Sequence, residues 1–285
     1  MKKKKVKCSA PGKIIFFGEH SVVYKKKAIA GAIDSRITVE ACGYTDDKKE
    51  FIVIFDKTTS LLFTMKSISD LRTNISDNHK DSADVITKFV HHSLPSADKF
   101  HQKAVVLLLF AYCKAVDHCK EEFDSIEVKV SSELPTGCGL GSSAAYSVAS
   151  SATFLTLFNA FDLDPSKNFE TDSLKAINYL AYEMEKLNHG SPSGVDNTVS
   201  TFGGVLIYKK GCYNFLSKPP QLNLLVVNSC VSRDTKKVVE KVRNCYDQYT
   251  EVIEPVLHSM DQISNMAEEC FIQLSLEGWL LLCLV

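Results

Sequence analysis

The 285-residue sequence has no excess of either charge: 33 Lys and Arg residues balance 34 Asp and Glu residues, leaving a formal net charge of -1. This balance excludes a general attraction to nucleic acid or to an anionic membrane surface, so any negatively charged ligand has to be held by a local site. The longest apolar run, residues 104–112, is also too short to cross a bilayer.

The ten cysteines include no CxxC pair and no ladder of alternating His and Cys, which argues against a zinc site. No secretory signal is expected before them, and the basic run at residues 2–5 is interpreted as a solvated terminus. The cysteines are therefore expected to be reduced, mostly buried thiols of a soluble cytoplasmic protein.

The first half of the sequence predicts a sheet with helices. Short apolar runs before residue 44 and two hairpin arms near residues 51 and 61 are typical of strands, and a polar stretch at 71–80 is typical of a loop. Residues 100–119 predict a buried helix, because their apolar side chains cover more than one face.

The second half predicts an α+β protein of two domains. Its expected elements are a strand at 124–132, helices at 142–158 and 172–187, strands near 203 and 221, and helices at 234–249 and 251–274. The SKPPQ segment at 217–221 is a candidate linker, since consecutive prolines break strand pairing. We therefore expect domains at 1–218 and 219–285, the second with too few strands for a sheet of its own.

A glycine-rich segment, PTGCGLGSS at 135–143, joins the strand at 124–132 to the helix that follows. Its three glycines allow peptide N–H groups to converge, and the helix N-terminus adds unpaired donors, a combination that suits phosphate. Ser142 and Ser143 can cap the helix or reach a magnesium ion. A purely structural glycine turn with serine caps is the alternative, and the segment lacks the GK[ST] ending of a Walker loop.

Two carboxylates follow in the sequence, Glu185 near the end of a predicted helix and Asp196 in the segment HGSPSGVDN at 189–197. Around a nucleotide, Glu185 can bind magnesium while Asp196 orients or deprotonates an acceptor hydroxyl. The alternative is an exposed helix glutamate and a turn or cap aspartate, and spacing does not decide between them.

An earlier segment, APGKIIFFGEHSVVY at 10–24, places Lys13 after a Pro-Gly turn and Glu19 and His20 after a glycine. A fixed lysine can neutralise phosphate charge or lower the pKa of an acceptor hydroxyl. A solvated lysine and a structural histidine are the plainer interpretations.

In this order, the segments at 10–24, 133–147 and 188–204 resemble three motifs of the GHMP kinases. The stretches EHSVVY and HGSPSGVDN are most similar to those of the mevalonate kinases within that group, and the resemblance extends over residues 6–272. It implies a fold of two α+β domains around a cleft, with an intact N-terminal domain and an incomplete, ferredoxin-like C-terminal domain here.

The resemblance also implies a set of site residues. Lys13 and Asp196 would be catalytic, Glu19 and His20 would line the mevalonate site with them, and Ser143 and Glu185 would hold Mg2+. Asp196 would be the base or an electrostatic partner of Lys13. The residues implied for the ATP phosphate cradle are Pro135, Gly137, Cys138, Gly139, Leu140, Gly141, Ser142 and Ser143, with Tyr146 nearby.

The implied reaction is ATP-dependent phosphorylation of mevalonate to 5-phosphomevalonate in isoprenoid and sterol biosynthesis, by a family whose members are homodimers. Three features depart from the family pattern: Lys25 stands where glycine is common, Cys138 occupies a small-residue position in the phosphate loop, and the tail after about Gln273 includes no glycine-rich GAGGGG-like motif. We therefore expect reduced activity and stability. The alternatives are a truncated, weakly active or inactive isoform that acts by binding a full-length subunit, and a GHMP kinase for another small alcohol.

Overall fold

The computed structural model describes residues 3–56, 58–75, 79–117, 121–135, 137–160, 169–190, 192–217, 227 and 235–277. The strands are β1 (Lys3–Phe17), β2 (Ala28–Tyr44), β3 (Glu50–Phe55), β4 (Thr59–Thr64), β5 (Ser125–Ser132), β6 (Val205–Lys209) and β7 (Cys212–Phe215). The helices are α1 (Met65–Thr73), α2 (His79–Ser93), α3 (Lys99–Val116), α4 (Ser142–Leu157), α5 (Thr171–His189), α6 (Val195–Phe202), α7 (Thr235–Gln248) and α8 (Thr250–Glu277).

The short runs predicted before residue 44 fuse into one long antiparallel hairpin of β1 and β2, connected through a 3-10 helix at Ser21–Tyr24. The pairing is irregular between Pro11 and Lys13 and again between Ile15 and Phe17. Proline has no N–H to give to the ladder, and such irregularities re-aim the side chains that follow them. The first irregularity therefore sets the direction of Lys13.

The hairpin is part of one seven-stranded sheet with the order β4-β3-β5-β2-β6-β7, in which β1 pairs with β2. Only β3 and β5 run parallel among these pairs. Helix α4 is buried almost throughout and packs against β1, β2, α3 and α5. A helix whose side chains are small or apolar on all sides is expected to be buried on all sides. Helix α4 therefore lies at the centre of the core.

Most predicted elements of the N-terminal part are confirmed, including the two hairpin arms and the helix that follows the glycine-rich segment. The loop predicted at 71–80 is wrong in part, because α1 continues to Thr73 and α2 begins at His79. Buried Ile68 and Leu71, and Ile86 and Val90 four residues apart, supply the helical spacing that the polar residues between them obscure. Helices α1, α2 and α6 and strand β7 were not expected.

Among the C-terminal residues, α7 and α8 confirm the two predicted helices. The strand predicted near 221, the linker prolines and the apolar tail from Trp279 lie outside the described residues. Helix α8 packs on the hairpin: Asp261 Oδ1 accepts a 2.6 Å hydrogen bond from Lys27 N, and Phe271 contacts the rings of Phe16 and Phe17. The domain boundary at 218/219 stays a prediction.

The opposite face of α8 exposes large apolar side chains, among them Val252, Val256, Ile263 and Met266. No helix within the described ranges has the length and apolar character needed to cross a membrane.

Lys25 adopts a left-handed conformation, with φ of 61°, at the end of the 3-10 helix. The turn therefore keeps a backbone that favours glycine although the residue is lysine. Since a left-handed non-glycine residue costs about 1–2 kcal/mol and glycine recovers part of this, Lys25→Gly is expected to raise the free energy of unfolding by about 0.5–1 kcal/mol in a urea titration.

Lys7, an exposed lysine in the regular strand β1, provides the control. Lys7→Gly should destabilise the protein, because glycine weakens a strand interior. A loss of stability with Lys25→Gly would contradict the strain at residue 25.

Candidate active site

Strand β1 and the glycine-rich loop after β5 are joined by a backbone hydrogen bond in which Lys13 N–H donates to Leu140 O at 2.9 Å. Gly12 makes this approach possible: a β-carbon there would lie 2.7 Å from both Leu140 O and a methyl carbon of Leu134. Contacts this short do not occur without displacement, so the sequence PGK brings Lys13 to the loop only because its middle residue has no side chain.

The loop backbone turns through three left-handed glycines, Gly137, Gly139 and Gly141, with φ of 74°, 75° and 72°. Gly141 is the N-cap residue of α4, and no side chain caps this helix within the described part of the loop. The predicted alternative of serine caps is therefore wrong. The first N–H groups of α4 lack partners inside the helix and are available, with its positive dipole end, for an anion.

Lys13 is 6% exposed, and its Nζ lies 3.3 Å from Asp196 Oδ1. Gly141 lies against the stem of the lysine, because a β-carbon on Gly141 would be 2.6 Å from Lys13 Cγ. The solvated lysine considered as an alternative is therefore wrong. The glycine loop holds the stem, and the carboxylate faces the ammonium group.

Asp196 lies in the first turn of α6, and Gly194, with φ of 85°, occupies the N-cap position. The aspartate is thus not the cap that was considered as an alternative. A negative side chain is favourable in the first helical turn. Its side chain is 39% exposed, so one end of the Lys13–Asp196 pair is open to a ligand while the other is enclosed.

Glu185 is 3% exposed, which rules out the exposed helix glutamate considered above. Its Oε1 accepts hydrogen bonds from Ser143 Oγ at 2.7 Å and from Ser147 Oγ at 3.1 Å. Asn188 Nδ2 in turn donates to Ser143 Oγ. The helices α4 and α5 pack side by side, so this packing brings the predicted metal-binding pair together.

The pKa of Glu185 is raised to about 7, chiefly by burial and also by the negative Asp196. The hydrogen bonds from Ser143 and Ser147 act in the opposite direction, as does Lys103. His189 Nε2 lies 3.6 Å from Glu185 Oε2. The buried carboxylate therefore lies where added positive charge would be favourable.

The other predicted site residues are arranged less compactly. Glu19 is exposed and His20 half-buried at the turn after β1, and their place in a substrate site stays a prediction. Cys138 is half-buried in the loop, Pro135 is exposed, and Ser142 opens α4. Tyr146 is buried, and its hydroxyl donates to Ala104 O at 2.9 Å, so it packs in the core.

Sequence reasoning missed Ser147 and Asn188 as partners of the Ser143–Glu185 pair. Helical spacing contains a signal for both, because Ser147 lies four residues after Ser143 and Asn188 lies three after Glu185. No group of three or more His, Cys, Asp and Glu side chains suited to a metal occurs within the described residues.

Residues 108–204 match the family model of the GHMP kinases N terminal domain. The mevalonate kinase of Bos taurus is 35% identical over 272 residues, which cover 91% of this chain and 68% of that protein. The mevalonate kinase of Pyrococcus abyssi is 36% identical over 271 residues, covering 94% and 70%.

The crystal structure of L. major mevalonate kinase in complex with R-mevalonate superposes with a TM-score of 0.63 and 21% identity, covering 97% of this chain and 72% of that one. The fold is thus that of a GHMP kinase. Because the bovine and archaeal proteins are 35% and 36% identical to this chain over 91% and 94% of its length, the chain belongs to the mevalonate kinase family.

Alanine substitutions at the two left-handed glycines Gly139 and Gly141 measure how much the contact between Gly141 and Lys13 contributes to stability. An alanine at either position pays about 1–2 kcal/mol for its conformation. Gly141→Ala also pushes against Lys13, whereas a β-carbon on Gly139 meets nothing within 4 Å. Gly141→Ala is therefore expected to lose about 1–3 kcal/mol more than Gly139→Ala in urea unfolding. Equal losses would contradict the contact with Lys13.

The raised pKa of Glu185 predicts a pH dependence of stability in metal-free protein. Because the folded-state pKa is near 7 and the ordinary value is 4.5, stability is lost as pH rises through this interval. Each pKa unit corresponds to about 1.4 kcal/mol, so the loss is about 2–3 kcal/mol between pH 4 and pH 8.

Glu185→Gln keeps an oxygen that accepts from both serines but removes the ionisation. The variant is expected to lose this part of the pH dependence and to exceed the unchanged protein by about 2 kcal/mol at pH 8. Chemical unfolding in the presence of EDTA at both pH values measures it. If the unfolding free energies of the two proteins depended on pH in the same way, the raised pKa of Glu185 would be contradicted.

Proposed function

We propose that this chain transfers the γ-phosphoryl group of ATP to the primary hydroxyl of (R)-mevalonate, giving ADP and 5-phosphomevalonate. The observation that carries the proposal is the ion pair between Lys13 Nζ and Asp196 Oδ1, 3.3 Å apart. The backbone N–H of the same lysine donates a hydrogen bond to Leu140 O in the glycine loop. An acceptor-activating pair and a phosphate-binding loop are thus fixed to each other. Membership of the mevalonate kinase family supports mevalonate as the acceptor.

In this reaction the hydroxyl oxygen of mevalonate forms a bond to the γ-phosphorus, and the bond from that phosphorus to the β,γ-bridging oxygen breaks. The hydroxyl proton passes to the Asp196 carboxylate, because the ammonium group of Lys13 cannot accept a proton. Lys13 stabilises the negative charge that develops on the transferring group and orients Asp196. Glu19 and His20 bind mevalonate at the edge of the site.

The nucleotide phosphates are held by the loop residues 137–143 and by the N-terminus of α4. The glycine at 139 leaves open space on the side where a β-carbon would project, and the first turn of α4 offers unpaired N–H donors. A phosphate with several acceptor oxygens satisfies such donors.

Ser143 and Glu185 fit Mg2+. Both offer oxygen, the donor that this ion prefers, and one carboxylate is enough where phosphates and water complete the shell. The hydrogen bond from Ser143 Oγ to Glu185 Oε1, 2.7 Å long, keeps these two oxygens together. When bound, the ion would neutralise charge on the phosphates. We therefore infer that Ser143 and Glu185 hold Mg2+.

Lys13→Met and Asp196→Asn test the proposal. Each is expected to lower kcat for ATP-dependent phosphorylation of mevalonate by about 10²–10⁴-fold, the contribution typical of acid–base and electrostatic groups. Binding of a non-hydrolysable ATP analogue should change by less than about threefold, because neither side chain belongs to the cradle. ADP release by a coupled assay and calorimetric titration measure the two quantities.

A matched control is Lys175 with Asp172, an exposed ion pair of 3.0 Å whose aspartate also lies in the first turn of a helix. Lys175→Met and Asp172→Asn should leave kcat unchanged, since exposed pairs contribute little. Near-normal turnover by the Lys13 or Asp196 variants would refute their roles. Turnover of galactose or homoserine in place of mevalonate would refute the substrate.

A further inference from the structure

Asn188 belongs to a continuous set of hydrogen bonds beside the glycine loop. Its Nδ2 donates to Ser143 Oγ and lies 2.9 Å from His189 Nε2. Ser143 Oγ in turn donates a hydrogen bond to Glu185 Oε1. The serine hydroxyl is therefore fixed from two sides, as an acceptor from Asn188 and as a donor to Glu185.

This pattern determines which end of the Asn188 amide faces Ser143. The hydroxyl has a single hydrogen, which is already donated to Glu185. Rotating the amide by half a turn would place Oδ1 against the Ser143 oxygen with no hydrogen between them. In the present orientation Nδ2 can also donate to His189 Nε2, at 2.9 Å, when the imidazole carries its hydrogen on Nδ1. The amide nitrogen thus faces the serine, and the oxygen points elsewhere.

Asn188 Oδ1 is buried and has no hydrogen-bond partner among the residues that the structure describes. A buried acceptor in this condition costs about 1–3 kcal/mol. Asparagine is also a poorer helix former than leucine, although Asn188 lies in α5. The two contacts of Nδ2 therefore account for only one end of the amide, and the oxygen has a cost that a ligand with a hydrogen to donate would remove.

Oδ1 shares one planar amide group with Nδ2, so it lies within a few ångströms of the Ser143 hydroxyl. A hydrated Mg2+ brings water molecules, whose hydrogens point away from the ion. Such a water can donate to a carbonyl oxygen, which supplies the missing partner. Groups that hold the ligands and waters of a metal in this way typically change metal affinity by 10–100-fold.

We propose that Asn188 is a positioning residue for the metal: Nδ2 holds the Ser143 hydroxyl, and Oδ1 accepts a hydrogen bond from water bound to the ion. This inference rests on the proposed function only in taking Ser143 and Glu185 as the metal site. It concerns binding of the ion and not the identity of the alcohol.

The test measures Mn2+ binding by electron paramagnetic resonance, with the non-hydrolysable analogue AMP-PNP present and mevalonate absent. Asn188→Leu is expected to raise the Kd of Mn2+ by about 10-fold or more. Asn188→Asp keeps an oxygen acceptor for the water but loses the donor to Ser143, so its Kd is expected to rise less than that of Asn188→Leu. In turnover assays the Mg2+ concentration for half-maximal rate should rise with Asn188→Leu, while the KM for mevalonate stays constant.

Asn74→Leu is the control, because Asn74 follows the last residue of α1, its amide donates a hydrogen bond to Asp70 O at 2.7 Å, and it is far along the chain from the site. It should lose stability without a change in Mn2+ affinity. Circular dichroism confirms folding of each variant, and Asn188→Ala replaces the leucine variant if that one is unfolded.

Mn2+ affinity within twofold of the unchanged protein for the apolar variant at 188 would overturn the inference, and so would equal losses for Asn188→Leu and Asn188→Asp. The proposed function fails separately: a chain that binds Mn2+ through Asn188 but transfers no phosphate to mevalonate would refute the substrate and leave the positioning role intact.

Discussion

The site depends on one constraint, the close approach of strand β1 to the glycine loop at Lys13. The backbone of Lys13 is bonded to Leu140 O, its stem lies against Gly141, and its ammonium group faces Asp196. Gly12 and Gly141 are the two positions where a side chain would separate these parts. The backbone that receives phosphate and the side chains that act on the acceptor are therefore one assembly.

Charge is distributed unevenly across this assembly. Glu185 is buried with two serine hydroxyls as its donors, whereas the Lys13–Asp196 pair is neutral overall and open at the aspartate. The excess negative charge therefore lies between α4 and α5, where burial makes it costly. A cation satisfies this position, and the orphaned oxygen of Asn188 lies beside it.

Local patterns predicted the parts of this site, because glycine spacing, helix starts and strand alternation are properties of neighbouring residues. They did not predict that four apolar runs form a single hairpin, since continuity across Pro11 depends on pairing with β2. Nor did they predict the burial of Glu185, which results from α5 packing on α4. Helix α6 was missed because Gly194, with its left-handed φ, precedes it directly, in a short segment of glycine, serine and one proline that is typical of a loop. The fold class came from the motifs together, and their order carried more information than any one of them.

The central claim is that Lys13 and Asp196 act as one unit in phosphoryl transfer. A double-mutant cycle tests it most directly, with single-turnover rates for Lys13→Met, Asp196→Asn and the double variant at saturating ATP and mevalonate. If the pair is one unit, the double variant is no slower than the slower single variant by more than about threefold. Rate losses that multiply, giving the product of the two single effects, would show independent residues and contradict the account.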